Sequence, residues 1–197
     1  MGSEIWVPLL TAIVGSVGTI ISIRYRHRLE QRKAAEKCHV QEAVEQDTEL
    51  LGKLDELREN VGASRACIYQ FHNGGEYYTG RSMQKFSMTY ETVSKGISRN
   101  ITSRQNVPVS ACNETLANLI KDRRLYYVDV KKDMPESLCK YVALEDGSKS
   151  MYKWAIYDLE KRALGYLQID FVGKKKNLSE DDIQDLEMSA IKIAGYL

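Results

Sequence analysis

Apolar and polar positions change rhythm several times along this chain, and each change marks an element. From Ile5 to Ile23 (IWVPLLTAIVGSVGTIISI) there is no charge and no polar face, so the segment reads as one apolar helix. At about 1.5 Å per residue such a helix is roughly 28 Å long, close to the hydrocarbon thickness of a bilayer. From Ala34 to Val61 the chain has one Gly, no Pro and many Glu, Gln, Lys, Ala and Leu, which predicts a long helix. Val40, Val44, Leu51, Leu54 and Val61 follow an alternating four-three spacing, interrupted by Asp47 and Arg58. Leu50, Leu54, Leu57 and Val61 form a second stripe. The first stripe reads as the seam of a short parallel coiled coil and the second as a face packed on the domain that follows. An amphipathic helix packed only on its own chain is the competing reading.

After Gly62 the period shortens to two. Arg65 to Phe71 (RACIYQF) is a β-branched and aromatic run followed by His72-Asn73-Gly74-Gly75, which is turn chemistry; Lys85 to Val93 (KFSMTYETV) alternates Phe86, Met88 and Tyr90 against polar neighbours. Ser110 or Asn113 caps a helix carrying Leu116, Leu119 and Ile120, and a strand is expected at Leu125 to Val130. A polar connection with a short helix near Ser137 to Val142 leads to two runs, Met151 to Tyr157 and Leu164 to Val172, that flank a turn and predict a hairpin. Ser179 with Asp182 three residues on forms a capping box for a last helix bearing Ile183, Leu186, Ala190, Ile193 and Leu197 on one face.

Charge sharpens this picture at one place. Arg24, Arg26, Arg28, Arg32 and Lys33 follow the apolar run, and only Glu4 precedes it. The asymmetry predicts an uncleaved single-pass membrane anchor with the C-terminal domain in the cytoplasm; a cleaved signal would carry its positive charge before the run. An interfacial helix or a helix buried in an assembly is the alternative. Three segments follow: residues 1–33 as anchor and basic collar, 34–61 as connecting helix, and 62–197 as the soluble domain. A net charge of +1 with the basic residues gathered in the collar argues against nucleic acid as a partner and for anionic headgroups. Cys38, Cys67, Cys112 and Cys139 are widely spaced with no CxxC pair, so reduced structural thiols are expected and no metal site is.

The fold class predicted is α+β, helices flanking an antiparallel sheet. The stretch WAIYDLEKRALGYLQIDFVGKKKNLSEDDIQDLEMSAIKIAGYL, a strand, a turn, a strand containing Gly165, a Ser-Glu-Asp helix cap and an apolar last helix, resembles the closing pattern of GAF domains. The resemblance extends from about Gln41 to Leu197. It implies a sensory or regulatory module that binds a small molecule beside its sheet and dimerises through its terminal helices. The asparagine-lysine-phenylalanine motif of cyclic-nucleotide-binding members is absent, no cysteine sits in a chromophore-attachment context, and the cysteine grouping of methionine sulfoxide reductases is not reproduced. The cofactor is therefore left unnamed.

The candidate ligand site read from the sequence is Phe71, His72, Asn73, Gly74 and Gly75 with Arg81, Lys85, Ser87 and Glu91, beside Tyr77 and Tyr78. Glycines admit a close backbone approach, Asn and His supply directional hydrogen bonds, and strict alternation would put Lys85, Ser87 and Glu91 on one face. The bland reading is a turn in which His72 is a structural donor. The same FHNGG and Lys-Phe-Ser arrangement resembles that of uncharacterised bacteriophage and bacterial proteins. No GxSxG, P-loop or HExxH is present, so no enzymatic activity is expected. The functional expectation is a membrane-anchored, homo-oligomeric module binding a small polar ligand, against a structural component of a membrane or virion assembly.

Overall fold

A computed structural model describes residues 3–197, with side-chain surroundings for residues 18–32 and 39–197. Ser3–Asn60 form one helix, α1. The chain divides into two compact units, residues 1–47 and 48–197. Most of the apolar run Ile5 to Ile23 lies outside the residues whose side chains are described. Among the described residues no helix is long and apolar enough to cross a membrane.

The second unit is built on a sheet whose strands are β1 (Arg65–Glu76), β2 (Ser82–Val93), β3 (Val107–Pro108), β4 (Arg124–Tyr127), β5 (Ser148–Tyr157) and β6 (Ala163–Val172). Their order is β3-β2-β1-β6-β5-β4, with every pair antiparallel. The helices are α2 (Asn113–Asp122), α3 (Val130–Asp133), α4 (Leu138–Glu145) and α5 (Glu180–Ile193). The capping box is formed: Ser179 Oγ accepts from the Asp182 amide at 3.1 Å, and Asp182 Oδ2 accepts from the Ser179 amide at 3.1 Å.

Each face of the sheet buries one side chain in two. On one face Ala66, Ile68, Trp154, Ile156, Leu167 and Ile169 meet Leu50 and Leu54 of α1 and Leu186, Ala190 and Ile193 of α5. On the other, Cys67, Tyr69, Phe86, Met88 and Tyr166 meet Leu116 and Leu119 of α2. The stripe Leu50, Leu54, Leu57 and Val61 thus packs on the domain, whereas Val40, Val44 and Leu51 are exposed.

The structure corrects three expectations. His72 to Gly75 do not form the turn: β1 runs on to Glu76 and the chain reverses at Tyr77 to Gly80, where the Gly80 amide donates to the Tyr77 carbonyl at 2.8 Å. Flanking strands that continue to pair, His72 with Lys85 and Asn73 with Gln84, outweigh local turn chemistry. Lys85 and Ser87 do not share a face with Glu91, because Ile68 pairs with Tyr90 and Tyr69 with Met88. The extra residue, Thr89, is a bulge that inverts the alternation. Finally, Cys112 and Cys139 are not thiols but a disulfide, their Cα atoms 5.6 Å apart across a sequence separation of 27. Spacing hides this pair because the turn before α2 and the helix α4 bring it together. Cys67 is free and buried.

Candidate functional site

The sheet face beneath α2 and α4 carries an unusual load of polar side chains. On β6 the positions alternate Tyr166, Gln168 and Asp170 toward this face and Leu167, Ile169 and Phe171 toward the other core. Lys153 on β5 and Arg65 on β1 join them, and Arg65, Lys153, Gln168 and Asp170 are all buried. Above them lies a cavity of about 200 Å³ whose floor is these four residues. Its aromatic and aliphatic wall includes Tyr69, Phe86, Met88 and Tyr166, and its roof comes from α4 (Leu138, Val142, Ala143), from Arg104 and from the disulfide. Tyr69 and Tyr166 stack with centroids 4.7 Å apart and form a rigid flat wall.

The charges under the cavity form a chain. Glu91 accepts from the Asn100 amide at 2.9 Å and the Ile101 amide at 3.1 Å, fixing the loop after β2. Its Oε1 lies 3.0 Å from Arg65 Nε, whose hydrogen points elsewhere, so this contact is an ion pair rather than a hydrogen bond. Arg65 Nη2 donates to the Ser98 carbonyl at 2.9 Å, and Nη1 stands 3.6 Å from Asp170 and 3.9 Å from Asp146. Asp146, at the end of α4, accepts both oxygens' bonds from Arg104 Nη2, at 2.9 and 3.1 Å. Gln168 bridges the last pair: Nε2 donates to Asp170 at 3.0 Å, and Oε1 accepts from the Lys153 ammonium.

Burial perturbs the ionisable groups on this floor. The Lys153 ammonium is pushed down to about 8, because desolvation outweighs the attraction of Asp170. Desolvation also raises the Asp170 carboxyl above the usual range against the opposing pull of Arg65. The Tyr69, Tyr166 and Cys67 protons are held for the same first reason, burial. A charge buried at this depth is costly unless something uses it, which makes perturbed groups in a cavity site candidates.

The residues singled out from the sequence go to other places. Phe71 is half-buried and packs against the Tyr69–Phe86–Tyr166 cluster. His72 Nε2 meets Ser87 Oγ at 2.9 Å, and Ser87 Oγ also accepts from the Asn106 amide at 2.8 Å. Asn73 Oδ1 accepts from the Gly75 amide at 3.1 Å and from Ser82 Oγ at 2.9 Å. A Cβ on Gly74 would meet the Lys85 side chain at 2.5 Å, and Gly75 has φ 103°. Arg81 is exposed. The β1–β2 hairpin therefore brings His72, Ser87, Asn73, Gly74, Gly75 and Lys85 together, while Glu91 sits beside Arg65 under the cavity. Lys153, Gln168, Asp170, Arg65, Arg104 and Asp146 were missed. The available signal was a polar residue at every second position of a strand otherwise apolar, in GYLQIDF, and a lysine between Tyr152 and Trp154. Among the described residues no cluster of His, Cys, Asp and Glu could hold a metal ion.

The disulfide ties the turn before α2 to α4 over the cavity. In the loop-closure view a bridge of this span contributes about 3.5 kcal/mol. Cys112→Ser should lower stability by about that amount, read as a denaturant midpoint against wild type, and added reductant should bring wild type to the same midpoint.

No protein-family model matches the sequence, and no curated protein does either. Solved structures do. The blue-light absorbing GAF domain of Thermosynechococcus elongatus PixJ superposes with a TM-score of 0.60 at 13% identity, covering 76% of this chain and 83% of that one. The phycoerythrobilin-bound GAF domain of a cyanobacterial phytochrome gives 0.61 at 18%, covering 81% and 89%. The type II free methionine-R-sulfoxide reductase of Thermoplasma acidophilum gives 0.56 at 15%, covering 78% and 93%. At these identities the likeness speaks for the fold.

Proposed function

We propose, from the GAF-like fold of this chain, that it is a sensory or regulatory module whose ligand is a small molecule held in the cavity over Lys153, Gln168 and Asp170. The observation that carries the reading is the buried polar floor itself: Lys153 and Asp170, both fully desolvated, line about 200 Å³ of space walled by aromatic rings. A merely structural core gains more from apolar residues at such positions. At 18% identity the bilin of the phytochrome neighbour is not carried over to this chain. Among the described cysteines, Cys67 is buried in the sheet and the other two are bonded to each other. Likewise no activity transfers from the reductase neighbour, and the module acts by binding.

The test is a thermal-shift screen of the full-length chain against small polar metabolites, repeated with Val142→Trp. Val142 is half-buried on the roof of the cavity, so the indole fills the space while α4 stays in place. Upward shifts in wild type that vanish in Val142→Trp support the reading; hits that survive the filling move the ligand elsewhere, with the hairpin around His72 and Asn73 as the next site to examine.

The remaining features bear on where the module sits and on whether it self-associates. The uncharged run Ile5 to Ile23 and the basic collar support a single-pass anchor with the domain on the cytoplasmic side. The disulfide argues for an oxidising compartment instead, and protease protection of the domain in intact cells decides between them. Val40 and Leu51, 66% and 36% exposed on α1, with Met188 and Ile191 exposed on α5, support self-association. They equally support the second reading, an assembly component using the fold as scaffold. Val40→Asp with Leu51→Asp should halve the mass of the particle in sedimentation while leaving circular dichroism unchanged.

A further inference from the structure

The cavity floor is unequal in what it has left to offer. Its carboxylates are occupied: Asp146 by two bonds from Arg104, Asp170 by Gln168 and the nearby Arg65, Glu91 by two backbone amides. The Lys153 ammonium has three protons to place. One goes to Gln168 Oε1, and the nitrogen lies 4.7 Å over the Tyr166 ring. Among the described residues no carboxylate stands within ion-pair distance of it, although it is 3% exposed. The unmet demand among these groups is therefore for an acceptor, at Lys153 and at the unpartnered Arg65 Nε, not for a donor.

Two more observations narrow the group that meets it. The buried Arg65 and the half-buried Arg104 stand against the carboxylates of Glu91, Asp146 and Asp170, which leaves Lys153, among the described residues of the cavity, as the cation with no carboxylate within ion-pair distance. A dianion such as a phosphate ester would stand over three carboxylates, whereas a single negative charge answers one ammonium. The walls beside Lys153 are the stacked Tyr69 and Tyr166 rings with Phe86 and Met88, which suit a flat apolar body. Resting on the ligand-site reading above, we infer that the ligand is a small monocarboxylate with an apolar, planar body, its carboxylate seated on the Lys153 ammonium and its body between the roof and the tyrosine wall. Lys153 is then a binding residue retained at a cost to stability. Its depressed protonation, near 8 from burial, rises again when an anion is seated beside it, so binding takes up protons around that pH.

The groups facing the ammonium are Gln168, Asp170 and the Tyr166 ring on β6 and Cys67 and Arg65 on β1. Asp170, already raised by burial, would take up protons in the same direction when an anion enters, so the comparison with Lys153→Met assigns the uptake to the lysine. Benzoate is the probe, and benzamide is its neutral counterpart of the same shape. Isothermal titration of the full-length chain at pH 8, in two buffers of different ionisation enthalpy, gives affinity and proton uptake together. The expected result is benzoate bound at least about tenfold more tightly than benzamide, with uptake of a fraction of a proton. Lys153→Met removes both the preference and the uptake while benzamide affinity persists, which shows that the variant is folded; its melting temperature is equal to or above that of wild type. Equal affinity for benzamide and benzoate, or a preference that survives Lys153→Met, overturns the carboxylate assignment and leaves the cavity reading standing. Absence of heat with both probes, together with no shift from any compound in the thermal screen, overturns the two together.

Discussion

Gly165→Ala should cost the fold more than about 4 kcal/mol, a loss reserved for substitutions that force the backbone itself to move. Gly165 lies on β6 opposite Gln70 of β1 and Ile156 of β5, at the centre of the sheet. A methyl group there would stand 1.9 Å from the Tyr69 carbonyl oxygen, far inside van der Waals contact, and 3.0 Å from the Gln70 Cα. Neither is the end of a flexible side chain, so β1 and β6 must separate. The same separation pulls Tyr69 from Tyr166 and dismantles the cavity wall. Chemical denaturation followed by tryptophan fluorescence measures it, because Trp154 sits buried on the adjoining strand. A loss below about 1 kcal/mol would show that the strands are not so close.

Arg65→Met is the second large effect, with an expected loss of roughly 3–5 kcal/mol. Arg65 is 3% exposed and is the cation that Glu91, Asp170 and Asp146 have in common. Methionine fills much of the volume but leaves buried carboxylates facing one another, and Asp170, already raised by desolvation, will take up a proton more readily. The sign of the pH dependence follows. A carboxyl whose folded pKa lies above its unfolded value binds more protons when folded, so the variant regains stability as pH falls through the folded pKa. Denaturation of Arg65→Met at pH 7 and at pH 5 should therefore show a smaller deficit relative to wild type at the lower pH. A deficit independent of pH would mean that the arginine contributes packing rather than charge.

Most of the framework was legible along the chain because it rests on local rules. The capping box at Ser179, the hairpin of β5 and β6, and the stripe Leu50, Leu54, Leu57 and Val61 each follow from spacing alone, and Gly165 was already conspicuous. Three things were not legible, and each depends on pairing at a distance. The bulge at Thr89 exists because β1 and β2 match only with one residue left over, and it moves Glu91 to the face opposite Lys85 and Ser87. The disulfide depends on α4 folding back over the turn before α2. The hairpin residues His72 to Gly75 drew notice for their chemistry, yet they satisfy one another locally, whereas the polar floor is made of residues that look ordinary singly. Lys153, Gln168 and Asp170 acquire meaning only once neighbouring strands bring them side by side.

The measurement that bears most directly on the account is native mass spectrometry of the full-length wild type and of two variants, Val142→Trp and His72→Ala, each saturated with benzoate or with any compound found by the thermal screen. One molecule bound per chain is expected for wild type and for His72→Ala, and none for Val142→Trp, because the ligand lies under α4 and not on the β1–β2 hairpin. A bound molecule that survives Val142→Trp and disappears in His72→Ala would contradict the account and return the site to the hairpin.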